Sequence, residues 1–144
     1  MQKLTIILFS ILITTASVSF SVTLSSLSKM QIKQAFINKT LTSIPTDNLN
    51  GKTVNNTNLV FLDNQGHIFG KLTQKPAQDP QTDKGVYAID FDGTLHITWQ
   101  HWDGGKKLCF HAFDTANAYI NVGCDKVFHT AFMKVAIKPG NHLK

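Results

Sequence analysis

Aspartate and histidine are the residue types in this chain that could perform acid–base chemistry, because it has nine Asp, six His and no Glu. Hydrolysis by a carboxylate pair needs two positioned carboxyl groups. Most of the aspartates fall in predicted turns or polar loops, where Asp is common because it bonds to its own backbone. Those in turns are Asp63, Asp92, Asp103, Asp114 and Asp125, and those in loops are Asp47, Asp79 and Asp83. These positions argue against a two-carboxylate hydrolase. Since no catalytic motif is evident elsewhere in the sequence either, we predict that the protein is not an enzyme.

Two histidines form the best metal candidate that the sequence offers. His96 and His111 fall on one face of neighbouring predicted strands, where they could hold Zn²⁺ or Cu²⁺ together with a third ligand. The sequence contains no His-x-His pair and identifies no third ligand. It also has no Gly-x-Ser-x-Gly motif and no phosphate-binding glycine loop. We interpret both histidines as polar positions on the outer face of a sheet, and we predict no cofactor.

The chain has two cysteines, Cys109 and Cys124. In an exported protein the simplest use of two cysteines is one disulfide. A bond that closes a loop of this length adds roughly 3 kcal/mol of stability in the chain-entropy model. The alternatives are a metal pair and a reactive thiol, and neither has neighbours at ligand spacing.

Residues 85–113 read as three β-strands joined by two Asp-Gly turns, Asp92-Gly93 and Asp103-Gly104. In the first hairpin, a three-residue loop with a left-handed Gly93 keeps the apolar residues on one face. In the second, a two-residue Asp103-Gly104 turn would place Trp99 opposite Leu108, and His96 opposite His111. The inward set is then Leu95, Ile97, Trp99, Leu108 and Phe110.

The remaining segments complete an all-β, mainly antiparallel pattern. Ser28 and Gln31 resemble a capping box for a short N-terminal helix over residues 29–41, which packs on the sheet or binds a partner. Further strands are predicted at residues 52–62, 67–72 and 119–122, and a closing strand at 127–137. We expect about seven strands in a small β-barrel or sandwich.

The connection at residues 73–84 is the longest predicted surface segment and a plausible rim or lid. By strand parity Trp99 and Trp102 lie on opposite faces. Trp102 could therefore border a ligand mouth, or it could pack over the hairpin end. The candidate rim for a ligand or partner is Trp102, Tyr87, Lys75 and Asp79. Because the inward set is large and aromatic, we expect a filled interior with at most a shallow pocket near this rim.

Residues 1–21 have the features of a secretory signal peptide, with Lys3 before a short apolar run and small residues after it. The alternative is an uncleaved membrane anchor, but the apolar run is short for a span. No cysteine follows that run, which argues against a lipoprotein. We predict one domain over residues 22–144, periplasmic or secreted, with no stable membrane anchor after cleavage.

The charge pattern argues against nucleic acid as a partner. All 14 basic residues are Lys, and the formal net charge is +5. Removing Lys3 with the signal peptide leaves 13 − 9 = +4. Without Arg the chain lacks the bidentate fork that recognises phosphate and guanine.

Several short motifs carry a resemblance to a known family. They are the run Leu49-Asn50-Gly51-Lys52-Thr53-Val54, the turn Asp63-Asn64-Gln65-Gly66, and Leu108-Cys109-Phe110 with a second Cys. Together they resemble small secreted bacterial proteins with a lipocalin-like domain of unknown function. The architecture is also similar to periplasmic barrel inhibitors of lysozyme or of proteases. The resemblance implies a fold and a compartment rather than a chemistry.

We therefore predict an exported, non-enzymatic protein that binds a small apolar ligand or an envelope protein. The alternative is a secreted or periplasmic inhibitor of an envelope enzyme, and a third hypothesis is a histidine-metal enzyme.

The signal-peptide interpretation predicts that residues 1–21 are absent from the mature protein. N-terminal sequencing or intact-mass measurement of protein recovered from the cell envelope checks this. Material that begins at Met1 would contradict cleavage and support the membrane-anchor alternative.

Overall fold

The computed structural model describes residues 24–44, 47–49, 52–54, 57–74 and 80–144. The predicted signal peptide lies outside these residues. One helix, α1 (Lys29–Phe36), precedes the strands, and a nine-stranded antiparallel sheet has the order β10-β9-β8-β7-β6-β5-β4-β1-β11. The strands are β1 (Lys39–Thr42), β2 (Asp47–Leu49), β3 (Lys52–Val54), β4 (Asn58–Leu62), β5 (His67–Leu72), β6 (Thr82–Ile89), β7 (Leu95–Trp99), β8 (Lys107–Asp114), β9 (Ala118–Gly123), β10 (Phe128–Met133) and β11 (Lys138–Pro139). The predicted all-β, mainly antiparallel class with one short helix is confirmed.

The strand count is higher than predicted. The sheet has nine strands, and β2 pairs with β3 in a separate two-stranded hairpin. The single strand expected over residues 52–62 is divided between β3 and β4. The strand expected at residues 67–72 is found with those bounds. No helix in the described part of the chain is long and apolar enough to cross a membrane.

Helix α1 begins as its sequence predicts and ends five residues earlier. The Ser28 hydroxyl accepts the Gln31 backbone N–H, and the Gln31 side chain accepts the Ser28 N–H, which completes the capping box. After Phe36 the chain turns at Asn38, whose φ is 57°. Residues 39–42 then pair with β4 as strand β1. Pairing with a segment some twenty residues ahead therefore overrides the helical pattern.

The first predicted hairpin is confirmed in its register and in its turn. Ile89 lies opposite Leu95, and Tyr87 lies opposite Ile97. The Asp90 N–H donates to the Thr94 carbonyl at 2.9 Å. Gly93 has a φ of 90°, the left-handed conformation that the bulged loop requires.

The second predicted hairpin register is wrong by two residues. Ile97 lies opposite Leu108, and His96 lies opposite Cys109 rather than His111. A slip of two residues keeps every side chain on its predicted face. The connection is longer than two residues because the N–H groups of His101 and Trp102 both donate to the Asp83 carboxylate, each at 2.8 Å.

The predicted disulfide between Cys109 and Cys124 is confirmed, with a Cα–Cα distance of 5.5 Å. It ties neighbouring strands, since Phe110 pairs with Gly123 one position away. The Cys124 N–H also donates to the Cys109 carbonyl at 3.0 Å. A disulfide fits an oxidising, exported location.

The sheet curls into a half-barrel whose two sides meet at one end. Ser43 forms an isolated bridge with Phe132, and the Ile44 N–H donates to the Ala131 carbonyl at 2.7 Å. Phe36 of α1 packs edge-on against Tyr119 and Phe132. The helix thus helps to cover the core. Strand β10 accounts for most of the closing strand that the sequence predicts over residues 127–137.

The inward set that the sequence predicts is confirmed. Leu95, Ile97, Trp99 and Phe110 are buried, and Leu108 is partly buried against them. Gly70 of β5 lies beneath two indole rings in this core. A Cβ atom on Gly70 would lie 2.3 Å from the ring of Trp102 and 2.9 Å from that of Trp99.

We expect Gly70→Ala to destabilise the protein by about 1–3 kcal/mol, because two packed indoles must move to admit one methyl group. Gly123→Ala is the matched control. Its Cβ would also come within 2.3 Å of another atom, but that atom ends the exposed Asp125 side chain, which can rotate away. Urea unfolding of both variants measures the difference, and equal midpoints would contradict the packing argument.

Candidate functional site

A buried carboxylate, Asp83, organises one end of the half-barrel. It lies on β6, and only 1 % of its side chain is exposed. Its Oδ2 accepts the backbone N–H groups of His101 and Trp102 at 2.8 Å each. Its Oδ1 accepts the Lys84 N–H at 2.9 Å and lies 3.0 Å from His101 Nδ1. Four N–H groups therefore satisfy one buried charge.

The hydrogen bonds decide the ionisation state of Asp83. Burial by itself would raise the pKa of this carboxyl group, but the bonds from Trp102, His101 and Lys84 outweigh burial and hold its pKa below the ordinary value. Because ionised Asp83 can only accept, the geometry assigns the Nδ1 proton to His101. His101 Nε2 is then the ring nitrogen left for a ligand, on a side chain that is 56 % exposed.

The same bonds bring Trp102 back onto the core. Trp102 is buried, its ring centroid lies 4.7 Å from that of Trp99, and its indole N–H donates to the Pro80 carbonyl at 2.8 Å. The expectation that the two tryptophans lie on opposite faces is therefore wrong. Strand parity stops applying once β7 ends at Trp99.

A cleft of about 730 Å³ opens beside Asp83 and His101. Its described lining combines one aromatic ring, Phe69, with hydrogen-bond donors, and the C-terminal residues also contribute. The lining residues are Phe69, Gly70, Pro80, Thr82, Asp83, Lys84, Gln100, His101, Asn141, Leu143 and Lys144. This is the region that the sequence predicts as a rim, since Pro80 and residues 82–84 belong to the predicted connection.

A separate cavity of about 110 Å³ lies within the core. All five predicted inward residues line it, as do Trp102 and Phe36. Polar groups line it as well: Asn58, Asn121, His129, Thr130 and Asp103. The predicted inward residues therefore leave a small space among them, with an apolar and a polar part, where a filled interior was expected.

The predicted rim residues do not all meet at the cleft. Trp102 forms part of the cavity wall and contacts Pro80, which lines the cleft. Tyr87 is half-buried, lies outside the described cleft lining, and donates its hydroxyl to the Asp63 carbonyl. Burial, followed by the Asp63 charge, raises the pKa of Tyr87. Lys75 and Asp79 lie outside the described residues.

The two metal-candidate histidines have other neighbours. His96 Nε2 lies 2.8 Å from Asp90 Oδ2, and His111 Nε2 lies 3.9 Å from Cys124 Sγ of the disulfide. Within the described ranges, no group of three or more His, Cys, Asp or Glu side chains is placed to hold a metal ion.

Sequence reasoning assigned Asp83 to a polar loop, and the structure places it on the inward face of β6. The alternation Asp83, Gly85, Tyr87, Ile89 is visible in the sequence and continues the inward face of that strand. Following that alternation back to residue 83 would have predicted an inward carboxylate that needs donors.

Comparisons of the chain with protein-family models, with curated proteins and with solved structures find no match.

We expect Asp83→Asn to destabilise the protein by about 2–4 kcal/mol at pH 7, because an amide NH₂ would replace an oxygen that now accepts N–H groups. The pKa of Asp83 is lowered on folding, so its contribution is complete above the unfolded pKa near 3.8 and is lost as pH falls through the folded pKa. The difference in free energy of unfolding between the wild type and Asp83→Asn should therefore become smaller below pH 3.8.

Urea unfolding at pH 7 and in acid measures this gap. Asp125→Asn is the control, since that exposed carboxylate accepts only the Val127 N–H among the described contacts. A gap for Asp83→Asn that stays constant into acid would contradict the role given to its charge.

Proposed function

We propose that the protein is an exported, non-enzymatic binding protein whose ligand is a small acidic molecule with an apolar part, held in the cleft beside Asp83 and His101. The observation that carries this proposal is the cleft of about 730 Å³. Its volume falls within the range of roughly 300–1,000 Å³ that is typical of small-molecule sites.

The chemistry of the lining favours an anion. Lys84 and Lys144 are the exposed lysines in the described lining. The one carboxylate side chain in the described lining, Asp83, is buried and already accepts four N–H groups. Gln100 and Asn141 add amide donors, and the Phe69 ring offers an apolar surface.

The contacts of the cysteines, Asp83 and His101 support binding rather than catalysis. Both cysteines form the disulfide, so neither is a thiol nucleophile. Asp83 holds the His101 ring in place, which suits a fixed hydrogen-bonding group in a recognition site. Export is supported by that disulfide and by the signal-peptide features of residues 1–21.

The proposal predicts that 3-phenylpropionate binds more tightly than 3-phenylpropanamide, which has the same apolar part without the charge. Lys84→Gln should weaken carboxylate binding by about two- to fivefold, as expected for a solvent-exposed ion pair. Added salt should weaken it as well. Calorimetry with both ligands measures these effects. Because the proposed function is binding without catalysis, the ligand should be recovered chemically unchanged after incubation.

Lys33→Gln is the matched control, because Lys33 is an exposed lysine on α1 outside the described lining of the cleft. Equal affinity for the acid and the amide would contradict an anion site. An equal effect of both lysine substitutions would indicate net charge rather than the cleft.

A further inference from the structure

Two buried amide oxygens in the core have no hydrogen-bond partner among the described residues. They are Oδ1 of Asn58 and Oδ1 of Asn121. Asn121 is 5 % exposed, so this amide is almost entirely withdrawn from solvent. Buried polar atoms are nearly always paired, and an unpaired one costs folding free energy. Such a group therefore needs an explanation.

Both amides line the same small cavity, although they come from distant strands. Asn58 begins β4 and follows the inward parity of Val60 and Leu62. Asn121 lies on β9, opposite Thr130 of β10. The Asn58 N–H donates to Ser43 Oγ at 2.9 Å, and Ser43 bridges to Phe132. The two acceptors thus lie near the place where the two sides of the half-barrel meet.

The rest of the cavity is mainly apolar. Its wall includes the rings of Trp99, Trp102 and Phe110 and the side chains of Leu95 and Ile97. Two exposed residues, Asp103 and His129, also line it, so the cavity reaches the surface between residues 102–105 and β10.

The volume limits what can enter. A cavity of roughly 150 Å³ with apolar walls accepts a benzene ring. The cavity found here, at about 110 Å³, is smaller, so one small ring or a short chain is the most that it can hold, and it excludes a fatty acid. This space is distinct from the cleft beside His101, which is several times larger.

We propose that this cavity is a second binding site, for a small apolar molecule that carries one hydroxyl or N–H donor. The apolar part packs against the indole and phenyl rings, and the donor pairs with the amide of Asn121 or Asn58. Phenol has this chemistry. Toluene has the same number of non-hydrogen atoms as phenol but no hydrogen-bond donor. Water could donate to the two amide oxygens, but it would make no apolar contact with the ring-lined wall.

The test is a titration of ¹⁵N-labelled protein with phenol and, separately, with toluene, followed through the side-chain amide signals of Asn121 and Asn58. Toluene leaves water more readily than phenol, so a purely apolar cavity would prefer toluene. We expect phenol to bind at least about fivefold more tightly, the effect of one satisfied hydrogen bond at a buried acceptor.

Asn121→Leu removes one of the two acceptors and keeps the number of non-hydrogen atoms in the side chain, and it should lower the preference for phenol over toluene. Asn64→Leu is the matched control, because Asn64 is an exposed amide in the turn before β5, and it should keep the wild-type preference. The comparison of two ligands on the unaltered protein stands even if a variant does not fold.

Equal or tighter binding of toluene to the wild-type protein would overturn the requirement for a donor. Binding of neither molecule would overturn the site itself and leave water as the partner of the two amides. Both outcomes are independent of the cleft, where 3-phenylpropionate tests a different chemistry.

Discussion

The buried carboxylate of Asp83 is the interaction on which one end of this fold depends. An ionised group withdrawn from water is costly unless hydrogen bonds replace its hydration. Here His101, Trp102 and Lys84 supply those bonds. Because the backbone N–H groups of residues 101 and 102 are committed to Asp83, the chain cannot continue β7 into a tight hairpin. It forms instead the longer connection that carries His101 to the cleft and Trp102 to the core.

The space for that connection comes from the neighbouring strand. Gly70 of β5 lies directly opposite Asp83 of β6, so the residue without a side chain pairs with the residue that anchors the loop. The absence of a Cβ at position 70 lets the Trp102 ring lie over β5 and against Trp99. Charge burial and indole packing therefore depend on the same pair of positions. A larger residue at position 70 would displace the two indole rings from this packing.

The sequence predicts those parts of the structure whose causes are local. The left-handed Gly93, the capping box at Ser28 and the inward alternation of β7 each depend on residues within a few positions, and each was predicted correctly. The second hairpin register was wrong because Asp83, about eighteen residues earlier, determines it. The predicted end of α1 was wrong because residues 39–42 pair with β4 as strand β1. Residues 80 and 82–84 of the connection predicted as a rim line the cleft, but none of the four predicted rim residues is in its described lining. The buried Asp83 was missed because a charged residue in a polar segment was assumed to face solvent.

One wall separates the two concave sites. Gly70 lines the cleft, and the Trp102 ring that contacts its backbone lines the interior cavity. Asp83 holds Trp102 from the cleft side through a backbone bond, while the Pro80 carbonyl holds its indole N–H. These two bonds hold the indole between the cleft and the cavity. The fold therefore keeps the cleft, with its lysines and amides, apart from a small cavity with two amide acceptors. Because an acceptor repels an anion and attracts a donor, the two proposed sites would select opposite ligand chemistries.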